Sequence, residues 1–568
     1  MLVFALLVFT VFAGNGNDVI GQLLLVPYPQ KVEANIGSAD SIHITPEITL
    51  NIPDVCKTNE RCKTFVDNIF NHSVTFPLSR IQNLEDFRLS LHAAIDIPHI
   101  TPIDPTDITT IDLQFTSETA EEIRPVLKIG VDESYTLSVT KETISISVKT
   151  VFGLRHAFET FIQLVRMSDK KTYISQLPIT ISDFPRFKWR GLLVDPSRNQ
   201  ILPKTFYKIV DSLAAFKINI LHLHISDAQT FLFESKKNPE FTKKASYSKK
   251  YILTQSFLKE LIDYAELRGI IVYPELDMPA HAASWGKAYP GVGVDCWDYA
   301  SKPTMHYGEN LITMNPADEN TFPLIESLIA ELSDVFTSDY IHVGGDEVNQ
   351  NCWKKCKELS VINEWMTNHS VKDFTGLESY FNKYSQDCVI ANKKTPIVWE
   401  EVFKNNNADT TTIVQVWQND PLLKQAVDAG YNTIYSSGFY QSSGDPDCKV
   451  YNESTCYDLY HMWVWTFKDF YANDPTKEFT EDELSKVYGM EGCSWGESCD
   501  DQNWFDRSQT RFMALAERFW SSKEMTDADS LEVRMNYVRC MNLRRGISKG
   551  MGPIYCNYCQ LPEEVESQ

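Results

Sequence analysis

Basic charge is scarce in this sequence: 53 Lys and Arg face 76 Asp and Glu, a net charge of −23 over 568 residues. A surface of that sign repels nucleic-acid phosphates and anionic membranes, and no local basic patch stands out, so nucleic acid is excluded as a partner. Cysteine is sparse too. Thirteen are too few to build a fold from disulfides, enough to staple a large secreted one, and their odd number leaves at least one thiol unpaired. Beyond the N-terminus no run is apolar for long enough to span a bilayer, so no membrane span is expected after signal cleavage. The C-terminal LPEEVESQ carries no lipidation or retention signal. Tandem repeats are absent.

What is present begins with an apolar run over residues 1–13, MLVFALLVFTVFA, with Val11 and Ala13 at the positions a signal peptidase reads. It reads as a cleaved signal peptide; a short anchor is the alternative, because no Lys or Arg precedes the run. A secretory route suits local disulfides, Cys56 with Cys62, Cys448 with Cys456, and Cys540 with Cys556 or Cys559. Zinc is the competing use of Cys352 with Cys356 or Cys556 with Cys559, but neither pair has a second half nearby. Sequons at Asn71, Asn368 and Asn452 are glycosylation candidates on such a route.

Two regimes follow. Residues 23–185 alternate in β fashion around one strong helical run, FGLRHAFETFIQLV, and predict a smaller α+β domain. Within 186–568 the chain alternates short apolar strands with helices: GLLVD, INILHLHISD, IIVYPELD, YIHVGGDE, TPIVWEEV, TTIVQVW, NTIYSSG and GCSWGE. Eight βα units, apolar on both strand faces, predict an α/β fold: a closed (β/α)8 TIM-type barrel ending in a helical segment. A doubly wound open sheet is the alternative, but no glycine-rich phosphate loop follows its first strand.

Barrel chemistry collects where strands end. The strands here close on Asp195 and Arg198; His224 and Asp227; Glu275, Asp277 and His281; Asp346 and Glu347; Trp399, Glu400 and Glu401; Trp417; Tyr440; and Trp495 with Glu497. Carboxylates among aromatics at one rim describe a pocket that stacks sugar faces and hydrogen-bonds hydroxyls. Adjacent Asp346 and Glu347 can serve one pocket only if the backbone turns at Gly344 and Gly345, since neighbours on a strand point to opposite faces. Their repulsion would push one pKa up and leave a proton donor beside an anion. His222 and His224 offer another class, the two-His start of a metal-dependent amidohydrolase site, but later strand ends supply no further His.

In this order, RGLLVDPSR, HLHISD, ELDMPAHAASWG, HVGGDEV, IVWEEVF, QVW, SWGE and ALAERFWS resemble the β-N-acetylhexosaminidases of glycoside hydrolase family 20, over roughly residues 23–560. The resemblance implies an exo-acting, retaining hydrolase for terminal β-linked N-acetylhexosamine in a glycan, without cofactor or metal. It makes Glu347 the general acid and base, Asp346 the holder of the 2-acetamido N–H, and Asp227 with His281 a supporting dyad. It gives Arg198 and Glu497 to sugar hydroxyls, Trp399, Trp417 and Trp495 to the pocket walls, and Tyr440 to the acetamido oxygen. The acetamido oxygen would be the nucleophile, the exception this family makes to the two-carboxylate rule. Cys296 and Cys352 sit where some members carry a disulfide. The family further implies a lysosome-like or secreted destination and leaves a homo- or heterodimer open. Departures are Asn199 where His is frequent, Leu223 where Trp is frequent, and a segment after Tyr440 that matches neither the neutral-sugar nor the sulfated-sugar pattern. A catalytically silent chitooligosaccharide-binding protein would need a defect at an acid position, and Asp346, Glu347, Asp227 and His281 are all intact.

Overall fold

The computed structural model describes residues 23–82, 105–168, 171–302, 308–418, 420–441 and 466–547. The signal-peptide run 1–13, the Cys448–Cys456 pairing, the Asn452 sequon, Cys556, Cys559 and the segment 442–465 lie outside the described residues. Cys56–Cys62 and Cys296–Cys352 are disulfides, and Cys540 is disulfide-bonded as well. Cys352 is therefore spent on Cys296, and its neighbour Cys356 is a buried free thiol, which removes the zinc reading of that pair. Asn71 and Asn368 are exposed, as glycan acceptors must be.

Two sheets fall between Lys31 and Asp183, one of six strands and one of four. On the six-stranded sheet Thr110–Phe115 alternates exposed and buried residues, as a sheet with one covered face requires. The helix Val151–Leu164, capped by the Thr150 hydroxyl, is buried along its whole length between sheet and barrel. A helix apolar on most of its circumference has no other place to go.

The barrel follows: β1 Trp189–Val194, β2 Ile220–His224, β3 Ile271–Met278, β4 Tyr340–Gly344, β5 Thr395–Trp399, β6 Ile413–Val416, β7 Asn432–Tyr435 and β8 Val487–Ser494. All pairings are parallel, and β8 closes on β1 from Trp189↔Gly489 to Val194↔Ser494. The open-sheet alternative is thereby overturned. Period-two alternation points Trp189, Ile220, Ile271 and Ile413 into an apolar floor. The layer above is polar. Glu491 accepts from Trp189 Nε1 at 3.0 Å, His222 Nδ1 at 2.7 Å and Gln415 Nε2 at 3.0 Å. A Cβ on Gly191 would meet Glu491 Oε2 at 2.3 Å, so β1 needs glycine there.

Buried ion pairs hold the two units together. Arg190 of β1 grips Glu133 at 2.6 and 3.0 Å, and Lys217 reaches Asp183 at 2.8 Å, which also accepts from Trp520 Nε1. Removing one partner of such a pair typically costs about 3–5 kcal/mol, because the other is left buried and charged. No helix among the described residues is long and apolar enough to cross a membrane.

Candidate active site

The backbone does turn after β4. Gly344 and Gly345 have φ of 65° and 100°, and Glu347 itself has φ 51°. A Cβ on Gly344 would fall 1.8 Å from Asp277 Oδ1, and one on Gly345 2.3 Å from Val402 Cγ2, so glycine is required sterically as well as conformationally. Through this turn both acids reach one group: His281 Nε2 lies 3.3 Å from Glu347 Oε2 and 3.8 Å from Asp346 Oδ2. The separation onto opposite faces expected of an unbroken strand does not occur.

Behind His281 stands an alternating chain of charges. Asp227 receives His281 Nδ1 at 3.2 Å, His224 Nε2 at 2.8 Å and Arg198 Nη2 at 2.8 Å. His224 Nδ1 lies 2.5 Å from Glu275, which also accepts from Trp399 Nε1 at 2.8 Å. Burial works against the Asp227 anion, but Arg198 and His281 outweigh it and hold its carboxyl far below the usual range. Burial likewise disfavours the His281 imidazolium; Asp227 and Asp277 reverse that and hold it protonated well above the ordinary histidine range. Each ring nitrogen of His281 faces a carboxylate, as an imidazolium's two donors need.

The adjacent acids are split in an unexpected order. The hydrogen bond from His281 draws Glu347 below the usual carboxylate range, against burial. Burial pushes Asp346 up to about 6; His281 draws it back, and repulsion from Glu347 and Glu275 adds to the rise. Asp277 and Glu401 are raised beside it, chiefly by burial and then by the Asp346 charge, Glu401 to about 8. One acid of the pair is raised, as expected, but in the free site it is Asp346, because the imidazolium sits on Glu347.

Four aromatics form a box at the rim. Trp417 and Tyr440 are parallel within 2° with ring centres 6.1 Å apart. Trp495 stands 6.0 Å from Trp399 and 6.1 Å from Tyr440, and Trp399 6.5 Å from Trp417. Trp399 is fully buried and acts as the floor, while Tyr440 and Trp495 are partly exposed. Trp417 Nε1 donates to Glu401 at 3.0 Å, and the Arg198 guanidinium lies 4.8 Å from the Trp495 ring centre. Glu497 is exposed two residues beyond Trp495. Asn199 donates to the Gly496 and Glu497 carbonyls at 2.6 and 3.2 Å, tying down the loop that carries both. Leu223, buried, lies between inward His222 and His224 on the opposite face of β2, away from the site.

His222 and His224 are both committed to carboxylates: His222 to Glu491 at 2.7 Å and Glu275 at 3.2 Å, His224 to Glu275 and Asp227. They serve the barrel's ion-pair chain. The Cys296–Cys352 disulfide joins the loop after β3 to the short helix Gln350–Lys355, three residues beyond Glu347. Three residues of the site carried no role in the sequence reading: Asp277, Glu401 and Glu491. Strand-end position marks the first two, and Glu491 keeps period-two register with Cys493 and Trp495.

Residues 187–523 match the family model described as glycosyl hydrolase family 20, catalytic domain, and residues 25–164 match one described as beta-acetyl hexosaminidase like. The chain is 49% identical over 565 residues to beta-hexosaminidase subunit beta of Entamoeba histolytica, covering 100% of both chains. It is 33% identical to beta-hexosaminidase subunit beta of Homo sapiens over 438 residues, 76% of this chain and 74% of that one. The crystal structure of a Flavobacterium johnsoniae chitobiase superposes with a TM-score of 0.72 at 26% identity, over 93% of this chain and 73% of that one.

Proposed function

The chain belongs to glycosyl hydrolase family 20 and is a glycoside hydrolase, an exo-acting N-acetylhexosaminidase, and we propose that it cleaves terminal β-linked N-acetylglucosamine and N-acetylgalactosamine by a retaining, substrate-assisted route. In this reading the aromatic box holds the 2-acetamido group and the sugar ring stacks over Trp495. Arg198 and Glu497 take ring hydroxyls, and Tyr440 donates to the acetamido oxygen. Glu347 gives its proton to the leaving oxygen as the acetamido oxygen attacks the anomeric carbon, breaking the glycosidic bond and forming an oxazolinium. Asp346, accepting from the acetamido N–H, balances the positive charge that develops. Glu347, now an anion, takes a proton from water as that water opens the oxazolinium, restoring the configuration at the anomeric carbon.

The observation that carries this reading is the convergence of Asp346 and Glu347 on one nitrogen of His281, beside the aromatic box. Asp346 is only 8% exposed, which suits a positioning acceptor better than a nucleophile that must reach an anomeric carbon. The same reading carries glycoconjugates or chitooligosaccharides as substrates, a secretory route to a lysosome-like or extracellular destination, and a homo- or heterodimer, the last supported by the subunit names of the relatives.

Neutral sugars are the favoured class, since no Lys or Arg occurs between Ser436 and Asp447 to pair with a sulfate. Turnover of matched aryl N-acetylglucosaminides, N-acetylgalactosaminides and their 6-sulfated forms tests this. Hydrolysis of both neutral substrates with little turnover of the sulfated ones is expected. Equal efficiency on sulfated and neutral substrates contradicts it.

A further inference from the structure

The sequence shows no basic patch, yet the fold assembles one. A cleft of about 400 Å³ opens where the small domain meets the barrel, far in sequence from the strand ends, and four permanent cations line it against two carboxylates. The cations come from four places in the chain. Arg155 is on the buried helix Val151–Leu164, Lys208 on Pro203–Ala215, Arg268 just beyond Gln255–Glu266, and Arg545 caps Ala528–Arg544.

Both carboxylates are already spent. Glu159 is gripped by Arg545 at 2.6 and 2.8 Å. Asp211 accepts from Arg268 Nε and from the Tyr264 hydroxyl, each at 2.7 Å. Arg155 is left with Glu159 at 3.9 Å, too far for a hydrogen bond, and its Nη1 has no partner although the side chain is 94% buried, 6% being its exposure. Burial draws its guanidinium down to about 10; Glu159 and Asp211 raise it, and Arg545 and Arg268 lower it. Lys208 donates only to the Gly546 carbonyl, at 2.8 Å. Arg155 thus shares Glu159 with Arg545 without a hydrogen bond to it, and Lys208 faces the same cleft without a carboxylate, in a protein of net charge −23.

A buried guanidinium that shares its one carboxylate and leaves a nitrogen without a hydrogen bond is costly unless an anion completes it, and a planar guanidinium beside an ammonium suits tetrahedral oxyanions. We propose that this cleft is a binding site for a phosphate or sulfate group, held by Arg155 and Lys208 with Arg268 at its side. The cleft is within the size range of small-ligand pockets, so the group can arrive free or on a small sugar ester.

Thermal unfolding of the full chain in inorganic phosphate, against chloride at equal ionic strength, tests it. A saturable rise in Tm is expected with phosphate and not with chloride. Lys208→Glu should weaken the midpoint at least about tenfold, while Lys243→Glu, at an exposed pair with Glu240, should leave it unchanged. Arg155→Gln should abolish the rise where the variant folds; Lys208→Glu keeps the test decisive where it does not. Glucose 6-phosphate binding more tightly than inorganic phosphate identifies a sugar ester as the source, and equal binding identifies the free anion. In neither case should hydrolysis of an aryl N-acetylglucosaminide be competitively inhibited, which separates this cleft from the active site. A rise that fails to saturate, matches chloride, or is unaltered by Lys208→Glu overturns the proposal.

Discussion

His281 Nε2 sits 3.3 Å from Glu347 Oε2 and draws that carboxyl down, while Asp346, 3.8 Å from the same nitrogen, is pushed up to about 6. The proton that the proposed mechanism needs on Glu347 therefore rests mainly on Asp346 in the free enzyme. The active form, protonated Glu347 beside ionised Asp346, is a minor tautomer of a singly protonated pair. Below both pKa values Asp346 is neutral; above both, Glu347 has no proton to give. Profiles of kcat/KM should be bell-shaped with an acidic optimum and an alkaline limb near pH 6. In Asp346→Asn Glu347 is the one member of the pair left to titrate, so that limb should move to lower pH. An unmoved limb would contradict the assignment.

Proton donation should show in the leaving group. General acid catalysis is worth about 10²- to 10⁴-fold, so Glu347→Gln should lose that much on substrates with alkoxide leaving groups. Aryl glycosides with activated phenols, which need no proton, should lose far less in the glycosylation step. Equal losses on both would remove Glu347 from the acid role.

Glu401 carries a stability signature. Its carboxyl is raised to about 8 by burial and by Asp346. Between the unfolded value near 4.3 and 8 the folded chain binds more protons at this group than the unfolded one, so stability falls as pH rises through that window. Glu401→Gln removes this contribution. The Tm of the variant relative to the parent should rise from pH 4.5 to pH 8; a constant difference would show that Glu401 is not what titrates.

Gly344 is the hinge of the site. Gly344→Ala places a methyl against Asp277 in a backbone conformation that costs an L-residue about 1–2 kcal/mol. Activity should fall sharply with the Asp346 turn displaced, whereas Gly430→Ala, also at positive φ but with nothing within 4 Å of the added Cβ, should cost stability alone. Full activity in Gly344→Ala would show that the turn tolerates displacement.

Much of the barrel was legible because buried parallel strands are written as continuous apolar runs, and because polar residues at their ends stand out against them. HVGGDE was readable as a turn since two glycines precede two acids that a strand would separate. The order of the two pKa values was not readable, because it depends on His281, 65 residues earlier in the chain, reaching Glu347 more closely than Asp346. Glu491 was hidden because one acid inside an apolar strand declares itself only once Trp189, His222 and Gln415 are brought around it. The basic cleft was hidden for the same reason: Arg155, Lys208, Arg268 and Arg545 come together only through the packing of four helices.

Whether the substrate's own acetamido oxygen is the nucleophile is decided by comparing kcat/KM for an aryl β-N-acetylglucosaminide with that for the matching β-glucoside. Loss of the acetamido group removes both the nucleophile and the contact to Asp346, so the glucoside should be hydrolysed at least about 10⁴-fold less efficiently, as expected when a positioned intramolecular nucleophile is deleted. Comparable rates on the two substrates, or a sugar ester trapped on Asp346, would show that the acetamido oxygen is not the nucleophile.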